Sequence, residues 1–390
     1  MMVSLGSVAA PTVWLRRHLM SRHHGAYGEV LVTDGGAHIH QAHADSHAKT
    51  GGGVWNREAR EAALASSLAP GATLPLGAGD RALPEAPDPY RLCFERDRDR
   101  IKHSTAFRRL AGKCQVFIAP DNDMLRNRLT HAIEVAQVAV AISEAGQLCV
   151  PLTEAIALGH DCGHGPAGHA SERAFEPFLP QGYDHAAYGA DVVLTDLNLC
   201  AETLDGIRNH SWKLPAARTP EGEVVSWADR IAYVCHDFED AVRAGIVTET
   251  DLPASVADVV GRGRSQQLGT FIRSMLTCIA ETSVVGMMEP EAHALEAFRN
   301  FNYDRIYLRP ASMEQGDRVI DLLGQLVERF VEAPSLLPIV KVGLRDIASG
   351  SDEAAEQAVR YVSGMTDRFA LGLAVDLLGW NRADLPSGVP

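Results

Sequence analysis

The chain has 390 residues, 46% of them hydrophobic and 22% charged, which is the composition of a globular protein able to bury a large core. Its 36 Lys and Arg against 50 Asp and Glu give a net charge of −14. This charge argues against a general nucleic-acid binder and gives no support to binding of single-stranded DNA, although it allows a local basic pocket. No run of about 18 apolar residues occurs, so we expect no membrane span.

The seven cysteines are scattered along the chain, and no two of them form a C-x-x-C pair. An odd number of cysteines at irregular spacing is not the pattern of a disulfide framework. Because free thiols persist in a reducing compartment, we expect a cytoplasmic protein.

Residues 1–53 are expected to form a disordered leader. Arg16 and Arg17 follow a short apolar stretch, whereas a secretory signal peptide carries its basic residues first. Four histidines lie among Ala, Gln, Ser and Asp further on: His38, His40, His43 and His47. They could form a metal-binding tail, but the segment has no apolar period with which to build a core. Gly51 to Gly53 mark its end, and residues 54–390 are predicted to form one domain.

Apolar residues recur at helical spacing from about residue 90 to residue 378. The clearest helix is 128–145, in which Ala132, Val135, Ala136 and Ala139 fall on one face. Helical segments are also predicted at 55–68, 97–110, 152–158, 186–197, 227–245, 268–281, 291–302, 313–331 and 352–369. The stretch 69–89 is predicted to be an extended arm, and 115–118 a short strand. We therefore expect a mainly α fold.

The charged run 96–100 alternates arginine with aspartate, and we expect it to lie on the solvated face of a helix. Its acidic members, Asp97 and Asp99, are then structural residues or part of a subunit contact.

Four residues have the composition of a metal site: His131, His160, Asp161 and Asp229. Imidazoles and carboxylates in this number leave coordination positions free for water and a phosphate oxygen. Adjacent residues do not share a helix face, so His160 and Asp161 can reach one ion only near a helix end, where Gly159 and Gly163 fit. A cation would offset the cost of burying Asp229, but so would Arg230 or another arginine.

The order of these four residues resembles that of the HD-domain phosphohydrolases. Within that family, residues 96–110, 112–117, 126–137 and 159–169 resemble the deoxyguanosinetriphosphate triphosphohydrolase branch, the last with Gly-His-Asp-Cys-Gly-His-Gly-Pro-Ala-Gly-His. The resemblance continues through Asn209-His210 and 229–237 and spans about residues 55–340. It implies an HD-domain helical bundle with additional helices, a metal core at about 96–245 and a helical C-terminal part at about 265–380.

The resemblance also implies a role for each motif residue. The metal ligands would be His131, His160, Asp161 and Asp229. The catalytic residues would be His169, oriented by Glu172 one helical turn away, and His164 and His185. Arg128 would bind the triphosphate, Gln115, Tyr233 and Asp237 would read the deoxyribose, and Lys213 and Arg230 would contact phosphate.

The reaction implied is that of a dNTP, with dGTP preferred, and water giving a 2′-deoxynucleoside and inorganic triphosphate. The cofactor would be a divalent metal ion, for which a mixed His and Asp set allows Mn, Mg, Co, Ni or Fe. Tyr233 and Asp237 follow Asp229 at intervals of four residues, so all three line one helix face. A homo-oligomer and a dNTP activator are further expectations of the resemblance.

Two other functions stay open. Nucleotidases and cyclic-nucleotide phosphodiesterases share the bare His, His-Asp and Asp set, so another HD phosphohydrolase is the first alternative. A non-catalytic nucleotide sensor is the second. The block 96–118 favours the triphosphohydrolase over the first alternative, and the intact ligand set favours it over the second.

Overall fold

The structure is a computed structural model, and it describes residues 31–32, 36, 38–39, 50–118, 122–341, 343 and 346–386. By its contacts the chain divides into residues 1–54 and residues 55–390. In the first unit β1 (Leu31–Val32) pairs antiparallel with β2 (His38–Ile39). Most of the expected leader, including His40, His43 and His47, lies outside the described residues, so the leader and its boundary remain predictions.

The second unit is helical, as the sequence predicts. Its first half contains α1 (Arg57–Ser67), α2 (Cys93–His103), α3 (Thr105–Arg109), α4 (Arg128–Ala145), α5 (Val150–Gly159), α6 (His169–Phe175), α7 (His185–Tyr188) and α8 (Ala201–Arg208). Its second half contains α9 (Pro220–Arg243), α10 (Ala254–Val260), α11 (Arg264–Thr282), α12 (Glu289–Asn302), α13 (Pro310–Glu332), α14 (Pro338–Lys341), α15 (Asp352–Ser363) and α16 (Asp367–Leu373). A mainly α fold is thereby confirmed.

Local capping explains why several helices begin where they do. Asn127 accepts a hydrogen bond from the backbone N–H of Thr130 at 3.0 Å, and the Thr130 hydroxyl lies 3.1 Å from the backbone nitrogen of Asn127. This reciprocal cap fixes the first turn of α4. At α9, Thr219 accepts from the N–H of Gly222, and Pro220 fills the first helical position, where a missing N–H is harmless.

Three sequence predictions of secondary structure are wrong. The predicted helix 97–110 is two helices, because Ser104 ends α2 in an extended conformation and caps α3 through the N–H of Phe107. The predicted helix 352–369 is also two helices, because α15 ends at Ser363 and Thr366 is extended before α16 begins. The predicted strand 115–118 is an irregular loop, whose one ladder contact joins Cys114 to Asn127.

The bundle is built around the pair α4 and α5. Helix α9 packs on both of them, and α2 packs on α5 as well. A second apolar cluster forms where α13 packs between α6 and α15, with Leu322, Leu326 and Phe330 at its centre. Helix α6 thus joins the C-terminal helices to the loop that follows α5.

The charged run 96–100 is not uniformly solvated. Asp97 is completely buried, and it accepts hydrogen bonds from Arg81, the backbone N–H of Cys200 at 2.8 Å and the hydroxyl of Thr203 at 2.7 Å. Asp99 lies at the surface beside Arg91. A buried ion pair is therefore among the contacts that hold the arm 69–89 against α2 and the start of α8. This contradicts the expectation that Asp97 is solvated.

We predict that Asp97→Ala lowers the free energy of unfolding by about 3 to 5 kcal/mol, because it leaves the buried Arg81 guanidinium without its carboxylate. Asp99→Ala is the matched control, and it should cost no more than about 1 kcal/mol because its ion pairs are exposed. Urea unfolding of the two variants measures the difference. Equal losses would show that the buried pair does not hold the arm.

Candidate metal and catalytic site

Three helices deliver the residues of the predicted metal site. His131 lies one turn inside α4, His160 and Asp161 follow directly after α5, and Asp229 lies near the middle of α9. Because α9 packs on both α4 and α5, the three positions meet at one place. The chain leaves α5 at Gly159, so the side chains of two adjacent residues can turn toward a common point, as the sequence argument required.

The ligand atoms converge around His160. His131 Nε2 lies 3.0 Å from Asp229 Oδ1, and His160 Nε2 lies 3.6 Å from the same oxygen and 3.4 Å from Asp161 Oδ1. Two sets of three have ligand atoms within 4.8 Å of one another: His131, His160 and Asp229, and His160, Asp161 and His210. No arginine is paired with Asp229 among the described residues, so the alternative neutralisation by Arg230 is not what the structure shows.

The ring orientation of His160 is that of a metal-binding histidine. Its Nδ1 donates to the carbonyl of Ala157 at 2.7 Å, which leaves Nε2 with a free lone pair. Nε2 is buried and has no hydrogen-bond partner among the described residues. A lone pair that faces two carboxylates is unfavourable unless a positive charge lies between them, so these residues fit a divalent cation.

The electrostatics of the cluster point the same way. Burial lowers the pKa of His160, but the carboxylates of Asp161 and Asp229 outweigh it and raise the pKa to about 9. Burial raises the pKa of Asp161, but His160, Arg128 and His164 outweigh it and hold the pKa well below its usual range. The centre of the cluster therefore favours positive charge.

A second cluster, of His164, His169, Glu172 and His185, lies beside the first. Its members come from the loop after α5, from α6 and from α7, and His164 Nε2 lies 3.2 Å from Asp161 Oδ1. Gly163 makes the approach possible, since a Cβ there would lie 2.0 Å from the carbonyl oxygen of His185. The four predicted catalytic residues thus share one wall next to the predicted metal ligands.

Glu172 pairs with His185 rather than with His169. The Glu172 Oε1 to His185 Nδ1 distance is 2.7 Å, whereas His169 Nε2 lies 4.0 Å from the same oxygen, too far for a hydrogen bond. His169 is 71% exposed, and His164 and His185 stack with ring centroids 3.7 Å apart. The expectation that Glu172 orients His169 is therefore wrong for this conformation, and His169 is the accessible imidazole of the cluster.

The hydrogen bonds assign the protons of His185. His210 donates from Nδ1 to the carbonyl of Ile207 at 2.8 Å, and burial foremost lowers its pKa to about 4, so its Nε2 is an acceptor. His185 Nε2 lies 3.2 Å from that nitrogen and must donate to it. His185 Nδ1 is hydrogen-bonded to the carboxylate of Glu172, so both ring nitrogens of His185 have a partner.

Arg128 is held in the wall between the two clusters. It is buried, it donates from Nη1 to Asp161 Oδ2 at 2.8 Å, and its Nε has no partner among the described residues. Gly168 provides the space, because a Cβ there would lie 2.2 Å from Arg128 Nη2. Its φ of +60° also favours glycine. The predicted triphosphate ligand thus has a free N–H but shares its charge with Asp161.

The predicted sugar-reading residues have partners from helix α12 and the turn after it. The hydroxyl of Tyr233 accepts from Arg299 Nε at 3.2 Å, and burial foremost raises its pKa to about 12. Tyr307 donates to Asp237 Oδ2 at 2.5 Å, and Asp237 Oδ1 is buried without a partner. One carboxyl oxygen on this face therefore remains free to form a hydrogen bond with a ligand hydroxyl.

The other predicted contacts lie around the clusters. The Oε1 atom of Gln115 is buried without a partner among the described residues. Two residues before it, Lys113 is buried and donates to the carbonyls of His164 and Ser363. Burial foremost lowers the pKa of Lys113 to about 8. Lys213 is exposed. Burial raises the pKa of Glu172, but the hydrogen bond with His185 and nearby positive charges outweigh it, and the charge of Lys213 makes a small contribution to this lowering. The guanidinium of Arg230 lies 3.2 Å from the centroid of the Trp212 ring.

Sequence reasoning missed three residues of this site. His210 had no assigned role, since a lone histidine at the end of a helix is a weak signal, although it lies in the motif Asn209-His210. Lys113 lies within the motif 112–117 and likewise had no assigned role. Tyr307 is 70 residues from its partner Asp237, and no local pattern links the two.

Comparison with known proteins agrees with this arrangement. Residues 128–234 match the model of the HD domain, and residues 285–375 match that of the phosphohydrolase-associated domain. A deoxyguanosinetriphosphate triphosphohydrolase-like protein of Caldanaerobacter subterraneus is 37% identical over 75% of this chain and 86% of its own. One of Paracoccus denitrificans is 32% identical over 80% of this chain and 100% of its own. The chain therefore belongs to the family of deoxyguanosinetriphosphate triphosphohydrolase-like proteins, among the HD phosphohydrolases.

Among solved structures, a hypothetical protein from Aquifex aeolicus matches with a TM-score of 0.45 and 16% identity, over 74% of this chain and 69% of that one. In the part of the chain that the structure describes, no helix is both long and apolar enough to cross a membrane. All seven cysteines lie in that part, and all are free.

We predict that His131→Ala and Asp229→Asn each weaken the binding of a divalent cation by at least about 100-fold, since even the outer partners of metal ligands contribute 10- to 100-fold. Metal content after dialysis, and calorimetric titration with Mn²⁺, measure the change. His103→Ala, an exposed histidine at the end of α2, is the control and should bind as the wild type does. Unchanged binding in both site variants would contradict this assignment.

Asp237 predicts a pH dependence of stability. Burial foremost raises its pKa to about 8, so between its ordinary value and pH 8 the folded state holds a proton that the unfolded state has lost. This group therefore favours unfolding increasingly as the pH rises, by up to about 1.4 kcal/mol per pH unit. Asp237→Asn lacks the effect, so its stability relative to wild type should rise from pH 4 to pH 8 and then level off. A constant difference in urea unfolding would contradict the shift.

Proposed function

We propose that this protein is a metal-dependent dNTP triphosphohydrolase that prefers dGTP and yields a 2′-deoxynucleoside and inorganic triphosphate. The observation that carries the proposal is the contact between the two clusters, where Asp161 Oδ1 lies within 3.4 Å of His160 Nε2 and 3.2 Å of His164 Nε2. A cation at the first cluster and a proton-transferring imidazole at the second would then face one phosphate. The names of the relatives support the choice of reaction.

The cation would be held by His131, His160, Asp161 and Asp229. When bound, a divalent metal in such a set lowers the pKa of a water and neutralises a phosphate oxygen. Manganese, magnesium, cobalt, nickel and iron are all compatible with imidazole and carboxylate ligands.

His169 is the residue that exchanges a proton with the reacting oxygens. It is the exposed member of its cluster, and an imidazole can accept a proton from a reacting group or return one to it. His185 is hydrogen-bonded to Glu172 and to His210, which fixes its ring with the centroid 5.6 Å from that of His169. Arg128 adds planar N–H donors that can bind phosphate oxygens. Positive charge aimed at the phosphate is what an anionic transition state needs.

The sugar would face Tyr233 and Asp237. The free Asp237 Oδ1 can form a hydrogen bond with a 3′-hydroxyl, and the aromatic ring of Tyr233 would leave no space for a 2′-hydroxyl. Their partners Arg299 and Tyr307 come from the region that matches the phosphohydrolase-associated domain. That region would therefore shape the nucleoside side of the site rather than bind the metal.

The products decide between this function and its alternatives. We predict that pure protein with Mn²⁺ converts dGTP to deoxyguanosine and triphosphate, faster than the other three dNTPs, as resolved by anion exchange. Release of monophosphate or diphosphate would assign another HD phosphohydrolase reaction. His169→Ala should lower kcat by about 10²- to 10⁴-fold with unchanged metal content, because it removes the proton-transferring group. No turnover of any dNTP by the metal-loaded wild type would favour a sensor.

A further inference from the structure

The loop between α5 and α6 has an unusual backbone at the point where it enters α6. Ala167 has a φ of +57° and Gly168 a φ of +60°. A residue with a side chain rarely adopts a positive φ, and this conformation persists only where the surroundings hold it. His169, the first residue of α6, follows directly. The direction in which His169 points therefore depends on what holds Ala167.

Helix α6 cannot fix this turn by itself. It has only seven residues, fewer than the roughly 12 at which an isolated helix becomes even marginally stable in water. Gly168 occupies its N-cap position and has no side chain with which to accept from the N–H groups of the first turn. Contacts from outside the helix must therefore fix where α6 begins.

Asp367, the first residue of α16, supplies such a contact from a distant part of the chain. Its Oδ1 accepts from the backbone N–H of Ala167 and its Oδ2 from that of Cys114, each at 2.8 Å. The two segments approach closely because a Cβ at Gly112 would lie 2.6 Å from Cγ2 of Thr366. Asp367 is buried, so water does not compete for these bonds. One side chain thus joins the turn before His169 to the segment 112–114.

Lys113 holds the same loop at a second point. It is buried, and its Nζ donates to the carbonyl of His164 and, at 2.9 Å, to the carbonyl of Ser363 at the end of α15. Burial lowers the pKa of Lys113, and the negative charge of Asp367 is the largest of the effects that oppose this lowering. Asp367 and Lys113 therefore act as a pair, one on an N–H and one on a carbonyl of the loop.

We propose that Asp367 is a positioning residue for the proposed reaction, because its bond to Ala167 sets the direction in which His169 leaves the loop. This inference rests on the proposed function, in which His169 exchanges a proton with the reacting oxygens. Asp367 contacts neither metal cluster. It lies in the region that matches the phosphohydrolase-associated domain, so that region would also control the geometry of proton transfer.

The kinetics of Asp367→Ala test the proposal. We expect its kcat for dGTP to fall about 10- to 100-fold, since a displacement of about 1 Å in a reacting group has an effect of this size. The KM should stay within about threefold and the metal content should be unchanged, because α4 and α9 keep their places. Asp376→Ala, an exposed acid just after α16, is the matched control and should behave as the wild type does. An unchanged kcat, or a parallel loss of bound metal, would overturn the proposal.

Hydrogen exchange measures the hold on the loop without any substrate. Mass spectrometry of peptides that cover residues 163–169 should show exchange at least about 10-fold faster in Asp367→Ala, while α4 and α9 keep their protection. The Asp376→Ala control should match the wild type. Unchanged exchange in the loop, or faster exchange throughout the bundle, would show that Asp367 has no local role.

A glycine at position 167 separates the backbone effect from a general loss of packing. Glycine adopts a positive φ without strain, so Ala167→Gly should change kcat less than about threefold on its own. Combined with Asp367→Ala it should restore kcat about 3- to 10-fold. No recovery would mean that Asp367 does not act through Ala167. Asp367→Asn keeps the shape and one acceptor, and its kcat should lie between those of the wild type and Asp367→Ala. A kcat equal to that of the wild type would contradict the need for both bonds.

Two further substrates, dGMP and cyclic AMP, distinguish failure of this inference from failure of the proposed function. If the wild type releases triphosphate from dGTP and Asp367→Ala does so equally fast, this inference alone is wrong. If the wild type cleaves dGMP or cyclic AMP but not dGTP, the proposed function is wrong, and Asp367→Ala must slow the observed reaction for this inference to stand. If the metal-loaded wild type cleaves none of the three, both are wrong.

Discussion

The site depends on one buried carboxylate, that of Asp161. An ionised carboxylate removed from water is costly unless it is paired and hydrogen-bonded, and this one is shared between Arg128 and His164 while facing His160. Those three partners come from α4, from the end of α5 and from the loop beyond it. A change in the packing of these segments therefore disturbs the charge balance of the site, and a change in its charges disturbs the packing.

Two glycines allow the segments around Asp161 to approach one another closely. Arg128 can lie beside Asp161 only because Gly168 has no side chain, and the loop can reach α7 only because Gly163 has none. The loop is then secured from outside the HD domain, where Asp367 accepts from the N–H groups of Ala167 and Cys114 at 2.8 Å each. Regions far apart in sequence thus converge on a loop of about ten residues. The C-terminal helices therefore matter for the metal site although they contribute none of its proposed ligands.

Sequence could predict the parts of this structure that depend on local pattern. The α4 helix begins and ends where its apolar period does, and the spacing of His160 and Asp161 correctly indicated a helix end. Asp97 was placed at the surface because its neighbours are charged, whereas three hydrogen bonds from distant segments bury it. The pairing of Glu172 with His185 instead of His169 is likewise a tertiary result. Periodicity fixes which residues a helix presents, but the choice between two histidines depends on how α6 and α7 pack.

Helix α9 sets the distances within the whole region. It carries Ser226, which donates to the carbonyl of His210, Asp229 at the metal cluster, and Tyr233 and Asp237 on the side proposed for the sugar. Because a helix advances about 1.5 Å and turns about 100° per residue, these groups keep both their spacing and their direction. A single inserted residue between Ser226 and Asp229 would rotate one set of groups away from the other. The spacing along α9 therefore fixes how far the residues proposed to face the sugar lie from the metal cluster.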